Sequence, residues 1–203
     1  TSTDSVEQHN LDDNTEAMLH EKEPSVEPEA RSITILYGSE SGNAQGLAEI
    51  FEQRLSDIGN DVTLKSMDDF KPKNLKKVED LFIITSTHGE GDPPDNAVEL
   101  HEYIHGRKAP KLDGVRFSVL ALGDQTYEFF CQTGKDFDNR LAELGAERLY
   151  HRTDCDVDYE EDAEKWMANV INTIDSTPAG TESEQVVSES IKSAKEKKYS
   201  KSN

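Results

Sequence analysis

The stretch Gly38-Ser39-Glu40-Ser41-Gly42-Asn43-Ala44 constrains this chain more than any other. The apolar run Ile33-Thr34-Ile35-Leu36-Tyr37 leads into it. A helical pattern leaves it, with Ala44, Leu47, Ala48, Phe51, Leu55 and Ile58 on one face. The pattern predicts a strand, a tight hydroxyl-rich loop and a helix N-terminus. Such a terminus carries backbone N–H groups without intrahelical partners and a partial positive charge, which suits an anion. Ser39, Ser41 and Asn43 add side-chain donors. The Lys-Ser/Thr that a P-loop places after its last glycine is missing, so a triphosphate with Mg²⁺ is not the expected guest. A single terminal phosphate held by neutral donors fits better. An ordinary capped strand–helix turn has the same local pattern.

The remaining chain repeats the alternation. Val62-Thr63-Leu64 reads as a short second strand and 70–74 as a loop. Leu81-Phe82-Ile83-Ile84-Thr85 is apolar throughout, as a strand buried on both faces should be. Ser86-Thr87-His88-Gly89-Glu90-Gly91-Asp92-Pro93-Pro94 follows as a second loop, then a helix over 96–105. Residues 115–121 form the fourth strand. A third loop comes next, Leu122-Gly123-Asp124-Gln125-Thr126-Tyr127-Glu128-Phe129-Phe130-Cys131. Its helix shows Phe137, Leu141 and Leu144 at helical spacing and ends at Gly145. A fifth strand is expected near 148–151. The last helix buries Trp166, Met167, Val170, Ile171 and Ile174.

Strands alternating with helices predict an α/β fold, a doubly wound five-stranded parallel sheet in the order 2-1-3-4-5. In that order strands 1, 3 and 4 are neighbours, and ligands sit at their C-terminal ends. The three unusual loops follow those three strands, so they should meet at one edge. The first offers a phosphate site. The second and third offer Gly89, Gly91 and Gly123 for close backbone approach, with Tyr127, Phe129 and Phe130 as aromatics able to face a flat ring. Phosphate plus a flat heteroaromatic ring is a mononucleotide, and FMN fits. Core packing is expected for Phe130 but not for Tyr127.

Composition supports a partner-binding domain flanked by tails. The chain has 203 residues and a formal net charge of −20. Residues 1–31 carry nine acids against two bases and read as a disordered acidic segment. Residues 175–203 balance five of each and read as a flexible linker. The acidity therefore extends into the folded domain expected over 32–174. It argues against nucleic acid and anionic membranes, and for a partner with a basic patch. There is no apolar run long enough to span a membrane and no visible signal peptide. Cys131 and Cys155 form no CxxC pair and suit a reduced, cytoplasmic protein; both are expected to be packing thiols. His101-Glu102-Tyr103-Ile104-His105 matches the H-E-x-x-H zinc pattern, but no convincing third ligand follows, and a solvated helix face is the expectation. His151 is expected on the surface.

The three loops resemble a known family. Ser39, Glu40, Ser41, Gly42, Asn43 and Ala44 resemble the flavodoxin signature S-x-T-G-N followed by Ala or Thr, with Ser41 where Thr is usual. Ser86 to Gly91 resembles its S-T-x-G-x-G loop, and Leu122 to Cys131 its L-G-D-x-x-Y-x-x-F-C loop. The resemblance covers about Ile33 to Ile174. Thr85 to Gly91, Tyr127 to Gln132, Lys135-Asp136-Phe137-Asp138 and Val157-Asp158-Tyr159 are closer still to the FMN domain of the assimilatory NADPH–sulfite reductase flavoproteins. Tyr199-Ser200-Lys201 looks like the start of that family's FAD- and NADPH-binding half, which would make this chain a fragment ending at the junction.

The resemblance implies a flavodoxin-like fold and FMN as cofactor. It implies an oxidoreductase role as well, with electrons passing from an FAD/NADPH module to FMN and on to a sirohaem haemoprotein that reduces sulfite to sulfide. Carried over by position, Ser39, Ser41, Asn43 and Ala44 hold the phosphate. Thr87, His88 and Gly89 border the ring, with the Gly89 carbonyl able to accept from flavin N5–H, and Tyr127 stacks on it. Asp124 and Asp154 lie near the ring and lower its potential. No residue is assigned acid–base work. A free-standing flavodoxin and the FMN domain of a haem-monooxygenase reductase share the motifs. The linker and Tyr199-Ser200-Lys201 speak against the first, and His88, where an aromatic is usual, against the second. A flavodoxin-like interaction module without a cofactor is the rival from another class.

Overall fold

A computed structural model describes residues 32–176. Four parallel strands form the main body of the sheet: β1 (Ser32–Gly38), β2 (Asp61–Ser66), β3 (Asp80–Ser86) and β4 (Arg116–Leu122). The helices α1 (Asn43–Asp57), α2 (Val98–His105), α3 (Gln132–Glu143) and α4 (Glu160–Ser176) flank it. Two short segments, β5 (Glu147–Arg148) and β6 (Thr153–Cys155), both pair with β4 in parallel. The sheet runs β2-β1-β3-β4-β5, with β6 beside the C-terminal half of β4. This is the expected doubly wound order.

The burial pattern follows from position in the sheet. β3 and β4 are buried along almost their whole length because helices cover both faces. The edge strand β2 alternates between exposed and half-buried. One core lies under α1 and α4, where Phe51, Phe82 and Trp166 pack with ring centroids 5.0–6.1 Å apart. The Trp166 indole N–H donates to Ser118 Oγ at 2.9 Å, so the buried indole keeps its hydrogen bond. The other core lies under α2 and α3 and contains Leu36, Ile83, Phe117, Phe137 and Leu141. At the N-terminal ends of β3 and β4, Arg116 clasps the buried Asp80 carboxylate with bonds of 2.6–2.9 Å.

Some expectations change. The fifth strand, expected at 148–151, is interrupted: β5 ends at Arg148 and β6 begins at Thr153. Between and beside them Arg148 and Arg152 converge on Asp138, and Arg152 also clasps Asp154 at 2.7 Å. These side-chain ion pairs accompany the remaining backbone bond to β4, from the Leu149 N–H to the Phe117 carbonyl at 2.8 Å. The expected loop at 70–74 follows a 3₁₀ turn, Met67–Asp69, and runs from residue 72 into a second, Pro72–Lys77. The helix expected from 96 begins as a 3₁₀ turn, Asp95–Ala97. Ile58 is exposed, because α1 ends at Asp57 and the chain turns away at Gly59. Helix α4 continues through Ser176, two residues into the expected linker. The expectations for 1–31 and for the linker beyond Ser176 lie outside the described residues. Among the described residues no helix is long and apolar enough to cross a membrane.

Candidate functional site

The parallel topology puts the C-terminal ends of β1, β3, β4 and β6 along one edge, and four loops leave there. They enclose a cleft of about 320 Å³. From the expected residues, Ser41, Asn43, Ser86, Thr87, His88, Gly89, Leu122, Gly123, Asp124, Tyr127, Phe129, Phe130 and Cys131 line it. Asp156, Val157 and Tyr159 complete the lining. They follow β6 and form a fourth loop, which the short β6 segment left without a strand signal. No Lys or Arg is among the lining residues.

The first loop is shaped by its own backbone. Gly42 sits at φ 89, a left-handed conformation that glycine adopts without Cβ strain. Its N–H donates to Ser39 Oγ at 3.0 Å. This leaves the Ser39 hydroxyl hydrogen free to donate. The Gly46 N–H closes the first turn of α1 on the Gly42 carbonyl, so the N–H groups of Asn43, Ala44 and Gln45 precede the helical ladder. Ala44 itself is fully buried and contributes no side-chain surface. Ser39, Glu40 and Gly42 belong to the loop but lie off the cleft lining.

The second loop is a tight turn. The His88 N–H donates to the Asp92 carbonyl at 2.8 Å, and the Gly91 and Asp92 N–H groups return to the His88 carbonyl. Gly91 holds φ 110, and a Cβ there would lie 2.8 Å from Phe129 Cβ, so the second and third loops touch through this glycine. Thr133 Oγ1 donates to the Asp92 carbonyl at 3.0 Å and ties the turn to α3. His88 Nδ1 meets Glu40 Oε2, linking the second loop to the first across the cleft mouth.

The third loop supplies the aromatics. Tyr127 is 50% exposed and Phe129 42% exposed, beside the 59% exposed Val157 of the fourth loop. These are three of the five exposed large hydrophobic residues among those described. Phe130 is not a core residue as expected. It lines the cleft, half-buried, with the Lys135 ammonium 5.5 Å from its ring centroid. Gln125, Thr126 and Glu128 lie outside the lining and shape the loop: the Thr126 hydroxyl and N–H both donate to Asp124 Oδ1, at 2.6 and 2.9 Å. Those bonds hold the Asp124 carboxyl below its usual range. Cys131 takes φ 55, and its buried thiol lies under the loop. Burial pushes the Cys131 and Cys155 thiols up to about 12, with the Asp154 charge adding to each.

Two expected neighbours differ. Asp154 lies in β6, off the lining, with its carboxylate held by Arg152. His101, expected on a solvated face, is half-buried: its Nε2 pairs with Asp136 at 3.1 Å and its ring meets Phe137 edge-on. His105 Nδ1 meets the His101 carbonyl at 2.7 Å. His151 is exposed, stacked on Tyr150.

The lining suits a phosphorylated flat ring. Neutral hydroxyl, amide and N–H donors gather at one end, exposed aromatics at the other, and backbone replaces side chains where a Cβ would intrude. A Cβ on Gly123 would sit 2.8 Å from the Cys131 nitrogen, so the third loop packs down onto that glycine.

Known proteins of similar sequence and shape agree with this geometry. The flavodoxin family model matches residues 35–166. The sulfite reductase (NADPH) flavoprotein alpha-component of Bacillus subtilis is 57% identical over 152 residues, 75% of this chain and 25% of that protein. Its namesake from Vibrio parahaemolyticus is 50% identical over 158 residues, 77% of this chain and 25% of that protein. The chain thus spans about a quarter of the length of these curated relatives. Among solved structures, a flavodoxin from Streptococcus pneumonia TIGR4 superposes with TM-score 0.64 at 25% identity, over 72% of this chain and 99% of that one. A cysteine-to-alanine mutant of flavodoxin from Pseudomonas aeruginosa gives 0.62 at 28% identity, over 71% and 99%. The chain belongs to the flavodoxin family, whose cofactor is FMN.

Proposed function

We propose that this chain is the FMN-carrying electron-transfer domain of an NADPH-dependent sulfite reductase flavoprotein. In this reading it accepts electrons from an FAD/NADPH-binding module and delivers them to a haemoprotein that reduces sulfite, in the cytoplasm. The observation that carries the cofactor is the cleft itself, with donors at one end, aromatics at the other and no cation. The observation that carries the system is the 57% identity to a sulfite reductase flavoprotein component over three quarters of this chain.

FMN supplies one- and two-electron redox chemistry when bound. The protein's own residues bind and orient it. The Ser39 hydroxyl, Ser41, Asn43 and the first N–H groups of α1 hold the phosphate without a cation. Tyr127 offers the stacking face, and Thr87, His88 and Gly89 border the ring on the side of the second loop. Phe129, Phe130 and Tyr159 exclude water from the cleft walls. Asp124, kept ionised by Thr126, sets a fixed negative charge at the site. Glu40, Glu90, Glu128, Asp156 and Asp158 belong to the same four loops, so a partner with a basic rim matches this edge.

The test is direct. The purified chain should be yellow and release FMN, not FAD, on denaturation. Fused or mixed with an FAD/NADPH module and a sulfite reductase haemoprotein, it should carry NADPH electrons to sulfite at a rate that falls as salt rises. A colourless protein that takes up no FMN would overturn the cofactor assignment. An FMN-loaded chain that the module never reduces would overturn the system. A free-standing electron carrier is the second reading, supported by the match over 99% of the length of two solved flavodoxins. It predicts electron delivery to the haemoprotein independent of any covalent link to the module.

A further inference from the structure

Asn96 lies outside the cleft lining, yet its side chain reaches the first loop. Its Oδ1 accepts from the Ser39 N–H at 3.0 Å, and its Nδ2 donates to Ser66 Oγ at 3.0 Å. Ser66 Oγ in turn donates to Asp68 Oδ1. The polarity of this relay is fixed from one end: a backbone N–H can only donate, so the amide must present its oxygen to Ser39 and its nitrogen to Ser66. Asn96 stands in the 3₁₀ turn Asp95–Ala97, and that turn is wedged in place. Ala97 is fully buried, and a Cβ on Gly38 would lie 2.9 Å from Ala97 Cβ. The turn therefore sits directly against the end of β1, where the first loop begins.

We propose that Asn96 is a positioning residue that holds the pose of the anion-binding loop, and that it thereby favours a phosphorylated over an unphosphorylated flavin. The Ser39 N–H is consumed by Asn96 and points away from the anion. What the bond does instead is fix the peptide that carries the Ser39 hydroxyl. That hydroxyl already accepts from the Gly42 N–H, so both ends of the loop are tied before a ligand arrives. Ordering the loop in advance raises affinity only for the part of the ligand that the loop meets. The ring is met by the other loops, and its binding does not depend on Asn96. The inference rests on FMN being the occupant of the cleft.

The experiment titrates the whole chain with FMN and with riboflavin by quenching of flavin fluorescence, in the wild type, Asn96→Ala and Ser66→Ala. Asn96→Ala should raise the FMN dissociation constant roughly 3- to 10-fold, the worth of one neutral hydrogen bond. The riboflavin constant should stay within about two-fold. Ser66→Ala leaves Asn96 and Ser39 in place and removes only the anchor of the amide. It should weaken FMN in the same direction by less, again sparing riboflavin. Hydrogen exchange at the Ser39 amide should speed up in both variants. Equal weakening of both flavins, or an unchanged FMN constant, overturns the proposal. If Asn96→Ala does not fold, Ser66→Ala decides by the same criteria. A wild type that binds no FMN refutes the cofactor reading instead, which keeps the two failures apart.

Discussion

Gly134 lies in the interior of α3, where glycine costs about 1 kcal/mol relative to alanine. The structure gives the reason for its presence. A Cβ at this position would sit 2.2 Å from Ala121 Cβ and 3.2 Å from Ala121 Cα, against a central strand buried from both sides. Carbon atoms pack best about 3.5–4.0 Å apart, so in Gly134→Ala the helix must retreat from the sheet by about 1 Å or more. Overpacking of this kind costs about 1–3 kcal/mol. The obstacle is strand backbone and a Cβ rather than a flexible chain end, which puts the cost near about 3. Subtracting the helix-propensity gain of about 1 leaves a net loss of about 2 kcal/mol. For a domain of this size that lowers the melting temperature by about 6–8 °C. Urea denaturation of the FMN-free protein, followed through the sole tryptophan, the buried Trp166, reads it without ligand stabilisation. Ala121→Gly removes the atom that the new methyl strikes, so the double variant should recover about 1–2 kcal/mol of coupling. The same retreat would drag Thr133 from Thr87 and Asp92, so FMN affinity should fall too. A Gly134→Ala protein as stable as wild type, or coupling below about 0.5 kcal/mol, would refute the close-approach reasoning.

Other perturbations separate the remaining interactions. Asp124→Asn should raise the midpoint potential of bound FMN on the order of tens of millivolts, since it removes a fixed negative charge; Asp154→Asn should shift it less, because Arg152 already balances that carboxylate, and equal shifts in a redox titration would refute the distinction. Arg116→Met strips the guanidinium from the fully buried Asp80 carboxylate and should cost about 3–5 kcal/mol in urea denaturation; a loss below about 1 would refute Arg116 as the main support of that carboxylate. Cys131 and Cys155 keep their protons in the fold up to about 12, while the unfolded thiols ionise near their ordinary value of 9.0. Their contribution to stability is therefore complete below about pH 9 and is lost as pH rises toward about 12. The Cys131→Ala/Cys155→Ala variant should show a flatter alkaline limb, and an unchanged limb would assign the decline to other groups.

Much of this molecule was legible along the chain because its signals are local. An apolar run, a hydroxyl-rich turn and a 3.6-residue stripe are each written in neighbouring residues, and the topological rule for parallel sheets then brings three such turns to one edge. The alternation predicted the sheet order, and the cleft gathers most of the expected lining from Ser41 to Cys131. Other features depended on residues far apart in sequence. The interrupted edge strand is held by Asp138, Arg148 and Arg152, and no period-2 pattern marks segments of two and three residues. Val157-Asp158-Tyr159 stood out only as a family-like stretch, and its place in the cleft wall, with Asp156, was not readable for that reason. Tyr127 was expected at the cleft and Phe130 in the core, and only the tertiary structure puts Phe130 at the cleft as well, where the third loop packs down onto Gly123. Asn96 reads as the start of a helix until the crossover carries it 57 positions back, to the amide of Ser39. Short-range order in the sequence determined the elements and the chemistry of their loops. Long-range packing decided which charges are paired, which aromatics face the cleft and what holds the first loop in place, because those depend on distances that no local pattern encodes.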